Sequence, residues 1–193
     1  MTRRLAALDI GSNSTRLLVA DEDGGRLEEV ERLLTITRLG HGVDASGRLA
    51  DEAMERVARC VGGYAERAAE LGAETPLAVA TSAVRDAANG EEFLSRLERD
   101  YGVRTRLLTG EDEARLTLRG VASGRSLDAP VVVCDIGGGS TELIAGTANE
   151  ADARELARRL HGEAVPGGEL VWEVAPGNPW AVFGGLGGGG TPI

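Results

Sequence analysis

Apolar and polar positions along the chain switch between the period of a strand and the period of a helix. Residues 5–10 and 15–21 are rich in apolar and β-branched types on either side of a small polar turn, and predict a hairpin. Asp21-Glu22-Asp23-Gly24-Gly25 reads as the next turn, and residues 26–37 alternate as a third strand. Residues 39–47, LGHGVDASG, predict a polar, glycine-rich loop. The clearest helix covers 51–71, where Met54, Val57, Ala58, Val61, Tyr64, Ala65 and Ala68 recur at three and four to give one apolar stripe. Gly62-Gly63 weakens its middle and Gly72 is a natural stop. Residues 77–80 predict a short strand, 91–100 a helix and 103–108 another strand. Val131 to Cys134 and Leu143 to Ala145 predict two more strands, and 147–162 a short polar helix with Leu156, Ala157 and Leu160 on one side. Strands alternating with helices after an opening meander predict an α/β fold.

The turn inside the later strand pair is the first place where chemistry enters. Asp135 closes a β-type run and is followed by Gly137, Gly138 and Gly139, then Ser140, Thr141 and Glu142. Glycines let backbone N–H groups approach a ligand, and N–H groups gathered in a turn form an anion-binding concavity. Asp135 at the strand end suits a hydrated divalent cation, and the hydroxyls add donors. A plain glycine-rich β-turn would have the same sequence. The pattern occurs twice, however. In LAALDIGSNSTRLLVA, Asp9 falls on Asp135, Ile10 on Ile136, Gly11 on Gly137, Ser14 on Ser140, Thr15 on Thr141 and Leu17 on Leu143. Such self-similarity signals duplicated architecture, and two facing Asp-Gly-Ser turns would make a clamp for a phosphate chain. Chance repetition of a strand–turn–strand pattern is the alternative.

Composition narrows the field. At 193 residues and 42% hydrophobic, the chain can build one good core or two small ones. All 21 basic residues are Arg, which with the abundant Ala and Gly reflects coding-sequence bias more than function. A net charge of −10 argues against a general nucleic-acid or membrane-binding surface, so an anionic substrate needs a local site. Cys60 and Cys134 sit in apolar contexts as expected of free buried thiols. Neither a membrane-length apolar run nor a signal-peptide core is visible, so the expectation is a soluble cytoplasmic protein.

Two further stretches carry candidate chemistry. In ATSAVRDA, Thr81 and Ser82 follow a strand and Arg85 lies three residues past Ser82, an arrangement suited to oxyanion contact. The same residues also read as a helix cap and a solvated first-turn Arg. In TGEDEAR, Thr109 can cap a helix whose first turn holds Glu111, Asp112 and Glu113. The macrodipole favours such acids with no catalytic role, yet a carboxylate beside a phosphate site is what a hydrolase needs to activate water. His41, alone in its loop, reads as a structural or solvent contact.

DIGSNSTRL, ATSAVRDA, TGEDEAR and VVVCDIGGGSTEL, in that order and spacing, resemble the exopolyphosphatase and guanosine pentaphosphate phosphohydrolase (Ppx/GppA) family over roughly residues 3–146. The resemblance implies the fold of the sugar kinase, hsp70 and actin superfamily, in which two ribonuclease-H-like domains flank a cleft. It implies that Asp9, Gly11, Ser12, Asn13 and Ser14 form the first phosphate loop, and that Asp135 to Glu142, with Gly137, Gly138, Gly139, Ser140 and Thr141, forms the second. Arg85 matches the arginine that contacts substrate phosphate, and Glu113 the catalytic glutamate that positions the attacking water. Asp112 stands where the family usually has Glu. Asp9, Asp135 and Glu142 match positions near the metal, which would be Mg²⁺. The implied reaction is release of a terminal phosphate from inorganic polyphosphate or pppGpp by in-line water attack.

No nucleic-acid or membrane partner is expected, and a homodimer is compatible with the reading. The expected domains are 1–125, a first ribonuclease-H-like α/β domain, 126–162, a fragment of the second, and 163–193, a Gly/Pro-rich tail outside the family pattern. That tail reads as a truncated or frame-shifted end, disordered over 184–193. A non-catalytic polyphosphate- or nucleotide-binding remnant is a second reading. An actin-like ATPase or sugar kinase relative is a third, weakened by Glu113 in TGEDEAR.

Overall fold

The structure is a computed structural model that describes residues 1–123, 131–138, 141–147, 164–165, 168–175 and 180–187. The chain divides into two compact units, Met1–Leu108 and Thr109–Ile193. The second unit begins at Thr109, inside the 1–125 span expected for the first domain.

In the first unit, β1 (Arg3–Ile10), β2 (Ser14–Asp23) and β3 (Arg26–Ile36) form an antiparallel meander. Next come α1 (Val43–Ser46) and α2 (Asp51–Glu70), then β4 (Leu77–Ala80), α3 (Ser82–Arg85), α4 (Gly90–Tyr101) and β5 (Arg104–Leu107). The sheet order is β3-β2-β1-β4-β5, with β4 parallel to both β1 and β5. The α/β expectation therefore holds, and every strand and long helix foreseen in this unit is present. The loop at 39–47 departs from it by one helical turn: α1 sits between Gly42 and Gly47, both at positive φ.

Alternation decides which face of the sheet is covered. Leu8 and Ile10 of β1 and Leu17 and Val19 of β2 are buried, and they pack in one core with Val57 and Val61 of α2 and with Phe93 and Leu97 of α4. Burying side chains of this size contributes roughly 1.5–3 kcal/mol each. Gly62, a weak point in α2 by propensity, has a packing role. A Cβ there would lie 2.6 Å from the Tyr101 ring, so the missing side chain is what lets α4 approach α2. Edge strand β3 is largely exposed.

In the second unit, α5 (Gly110–Ser123) precedes β6 (Val131–Ile136), β7 (Thr141–Thr147), β8 (Ala164–Val165), β9 (Gly168–Ala175) and β10 (Trp180–Gly187). The sheet order is β6-β7-β10-β9-β8, and α5 packs on β7 and β10. Residues 168–175 and 180–187 pair as antiparallel strands and β10 also pairs with β7; of the span expected to be disordered, 184–187 lies in β10 and 188–193 lies outside the described residues. The physical signal was present in the alternation of Leu170, Trp172 and Val174 with Val171 and Glu173, and in the Trp180-Ala181-Val182-Phe183 run. Glycines at 184, 185 and 187 outweighed it in the sequence reading. The expected helix at 147–162 lies outside the described residues, apart from Thr147, which ends β7.

Candidate functional site

The first Asp-Gly turn sits at one sheet edge, where the C-terminal ends of β1, β4 and β5 lie side by side. Ile10 pairs with Ala80, and Ala80 with Leu107. In open α/β sheets this carboxyl edge is where ligands bind. The Gly11 N–H donates to the Ser14 carbonyl at 3.0 Å, closing the turn, and a Cβ on Gly11 would lie 3.2 Å from that oxygen. Ser12 is buried, and its hydroxyl lies 3.0 Å from that of Ser82, at the start of α3. Asn13 is exposed, while its carbonyl accepts N–H bonds from Thr37 and Arg38 at 3.0 and 2.9 Å. Thr15 and Thr37 share a buried hydroxyl contact of 3.0 Å. The turn is thereby held from both flanking connections, with Asn13 at its exposed tip.

Asp9 is half-exposed, and its Oδ2 lies 3.8 Å from the Arg16 guanidinium directly across the hairpin. Arg85 is mostly shielded. Its Nη1 donates to the Leu108 carbonyl at 2.9 Å, which ties α3 to the end of β5, and its Nε lies 3.8 Å from Asp86. Thr81 occupies the N-cap position of α3, where its carbonyl accepts the Val84 and Arg85 N–H groups at 3.1 Å, without a side-chain cap bond. The four-residue helix has few N–H groups to satisfy, and the Ser82 hydroxyl goes to Ser12 instead.

The second unit gathers the remaining candidates. The Thr109 hydroxyl accepts the Asp112 N–H at 3.1 Å, and the Glu113 N–H donates to the Thr109 carbonyl at 2.9 Å. The cap predicted for TGEDEAR is therefore formed, with Glu113 in the first turn and partly buried. Four residues on, and so on the same helix face, the Thr117 hydroxyl donates to Asp135 Oδ2 at 3.1 Å. Gly137 and Gly138 are exposed, and Thr141 and Glu142 open β7. Gly139 and Ser140 lie outside the described residues.

Register makes the duplication concrete. In the first hairpin Ile10 pairs with Thr15 and Asp9 with Arg16. In the second Ile136 pairs with Thr141 and Asp135 with Glu142. Each aspartate thus stands one pair back from a turn of the same length.

A profile of the Ppx/GppA phosphatase family matches residues 18–156. The chain belongs to the Ppx/GppA phosphatase family. It is 43% identical over 153 residues to exopolyphosphatase 2 of Mycobacterium tuberculosis, an alignment that covers 74% of this chain and 48% of that protein. Among solved structures it is similar to an exopolyphosphatase-like protein, with a TM-score of 0.72 at 43% identity over 76% of this chain and 46% of the other. The Aquifex aeolicus family member gives a TM-score of 0.69 at 33% identity, covering 84% and 56%. This Ppx/GppA chain spans about half the length of the curated relatives it matches. The neighbours share the actin-like, ribonuclease-H-like fold that the motifs had implied.

Sequence reasoning missed three residues around the Ppx/GppA motifs. Arg16 was legible from the tight turn, which fixes the residue opposite Asp9. Thr117 could have been found as the next residue on the Glu113 face of α5. Thr37 carried no local signal, because its role depends on β3 returning beside the first turn.

Proposed function

We propose that this chain carries phosphate-binding and water-activating parts of a hydrolase that releases the terminal phosphate of inorganic polyphosphate. The observation behind this reading is the repeated Asp-Ile-Gly hairpin in one register, in a chain whose relatives include a protein named exopolyphosphatase 2. Backbone N–H groups of Ser12 and Asn13, at the tip of the turn that the Gly11 N–H closes, and those of the turn after Ile136 would bind phosphoryl oxygens. Arg85, whose Nη1 donates to the Leu108 carbonyl, is the cationic side chain proposed to meet a charged phosphoryl oxygen. Glu113 would take the proton of the attacking water and hold it on its carboxylate.

Among the described residues no group of three or more His, Cys, Asp or Glu is gathered as a metal site. Mg²⁺ commonly binds through one or two carboxylates plus substrate phosphates, so a sparse donor set fits it. Asp135, whose Oδ2 the Thr117 hydroxyl holds, is the oxygen donor proposed for it in the second unit. When bound, Mg²⁺ would neutralise charge on the phosphate being transferred. The guanosine pentaphosphate pppGpp presents the same terminal phosphoanhydride and is the second substrate proposed. A cytoplasmic location would give access to both.

Phosphate release from polyphosphate and from pppGpp, with and without Mg²⁺, tests the reading against Glu113→Gln. That change keeps size and one acceptor but removes the base, so turnover should fall by about 10²–10⁴-fold while substrate binding persists. Equal turnover in the two proteins would return Glu113 to a first-turn acid favoured only by the helix dipole.

A further inference from the structure

Thr37, Arg38 and Gly40 support the first Asp-Gly turn with their backbone, and Thr37, Arg38 and His41 line a separate pocket. The Thr37 and Arg38 N–H groups donate to the Asn13 carbonyl, and the Gly40 N–H donates to the Ser12 carbonyl at 2.8 Å. Together with Ile36 and with Arg56 of α2, Thr37, Arg38 and His41 line an open pocket of about 530 Å³.

Arg38 is the described non-glycine residue at positive φ, 49°. Glycine or Asn usually occupies that region, and other residues are held there only when the surroundings demand it. A glycine would make the same N–H bond to Asn13 without strain. What Arg38 adds is a guanidinium at the pocket.

The second cation is Arg56. Its Nε donates to the Thr37 carbonyl at 3.1 Å and its Nη1 to the Glu52 carbonyl at 3.2 Å. Among the described residues no carboxylate pairs with Arg38 or Arg56, whereas Arg3, Arg4, Arg32, Arg67 and Arg96 each pair with an acid. Two guanidinium groups without a carboxylate partner, lining one pocket of a chain with net charge −10, form a local anion site. Guanidinium matches phosphoryl oxygens in charge and in fork geometry.

We propose that this pocket is an auxiliary subsite for an internal phosphoryl group of a condensed phosphate chain whose end is held at the Gly11–Ser14 turn. The assignment rests on the polyphosphate reading above. It gives the site a preference for chains over free orthophosphate, because one ligand spans the turn and the pocket.

The test follows backbone amide resonances of the 193-residue protein during titration with tripolyphosphate and, separately, with orthophosphate. Tripolyphosphate should shift both the Gly11–Ser14 group and the Thr37–His41 group. Arg38→Gly should leave the melting temperature equal or higher, abolish the pocket response, and weaken tripolyphosphate binding by on the order of tenfold. Arg56→Gln should weaken it in the same direction. Shifts at the turn alone, unaltered by Arg38→Gly, would overturn the subsite and leave the proposed function standing. No response at either group would overturn both. Orthophosphate shifting the pocket as strongly as tripolyphosphate would make it a free-anion site and overturn the chain assignment. A lower melting temperature in Arg38→Gly alongside lost binding at both groups would give Arg38 a structural role instead.

Discussion

The Thr117 hydroxyl donates to the Asp135 carboxylate across 3.1 Å, so a helix residue fixes the aspartate that leads into the second glycine turn. Thr117 lies one helical turn from Glu113, and a single face of α5 therefore carries both the proposed base and the group that orients Asp135. Thr117→Val keeps the shape and removes the donor. A loss of about 0.5–1.5 kcal/mol in unfolding free energy is expected, with recovery in Thr117→Ser. The Mg²⁺ concentration needed for half-maximal phosphate release should rise in the valine variant and return in the serine one. An unchanged Mg²⁺ requirement alongside lower stability would show that Thr117 serves packing alone.

The buried Ser12–Ser82 contact at 3.0 Å couples the first turn to the start of α3. Either alanine substitution leaves the other hydroxyl without this partner in a buried setting, at a cost of about 1–3 kcal/mol. The double variant should cost less than the sum, because the second change removes the stranded group. Urea unfolding of the four proteins in this cycle supplies the numbers. Strict additivity would mean the two hydroxyls are satisfied independently.

Acid should loosen the first unit. Hydrogen bonds from Arg4 to Asp21, from Arg67 to Glu31 and from Arg3 to Glu74 hold these carboxyls below their ordinary values of 3.8 for Asp and 4.5 for Glu. Because the folded values are depressed, their stabilisation is full above the ordinary range and is lost as pH falls through the folded values. The melting temperature should be level down to about pH 5 and decline below it. Asp21→Asn should make that decline shallower, and added salt should shrink the difference in part because the Arg4–Asp21 pair is only half-buried. A profile identical in wild type and Asp21→Asn would remove the Arg4–Asp21 pair from the account.

Local pattern was enough for most of the first unit. The apolar stripe of α2 buries Val57, Val61 and Tyr64 as its spacing requires, and the hairpin turn at Gly11 was set by residue type alone. The strands at 168–175 and 180–187 were hidden because glycine content depresses strand propensity while pairing is decided by distant partners. Phe183 of β10 pairs with Ile144 of β7, a contact no local window contains. The same limit applies to the site. Asp9, Glu113 and Asp135 stood out as motif residues, but Thr37 and the Leu108 carbonyl that receives Arg85 depend on chain return.

The two hairpins differ in the residue opposite each aspartate, Arg16 in one and Glu142 in the other. Both partners lie on the returning strand, outside the turn itself. In each hairpin, the residue that faces the aspartate in register is set by the strand that follows and not by the turn. A single strand position in a duplicated hairpin thus decides whether the register partner of its aspartate is a basic or an acidic residue.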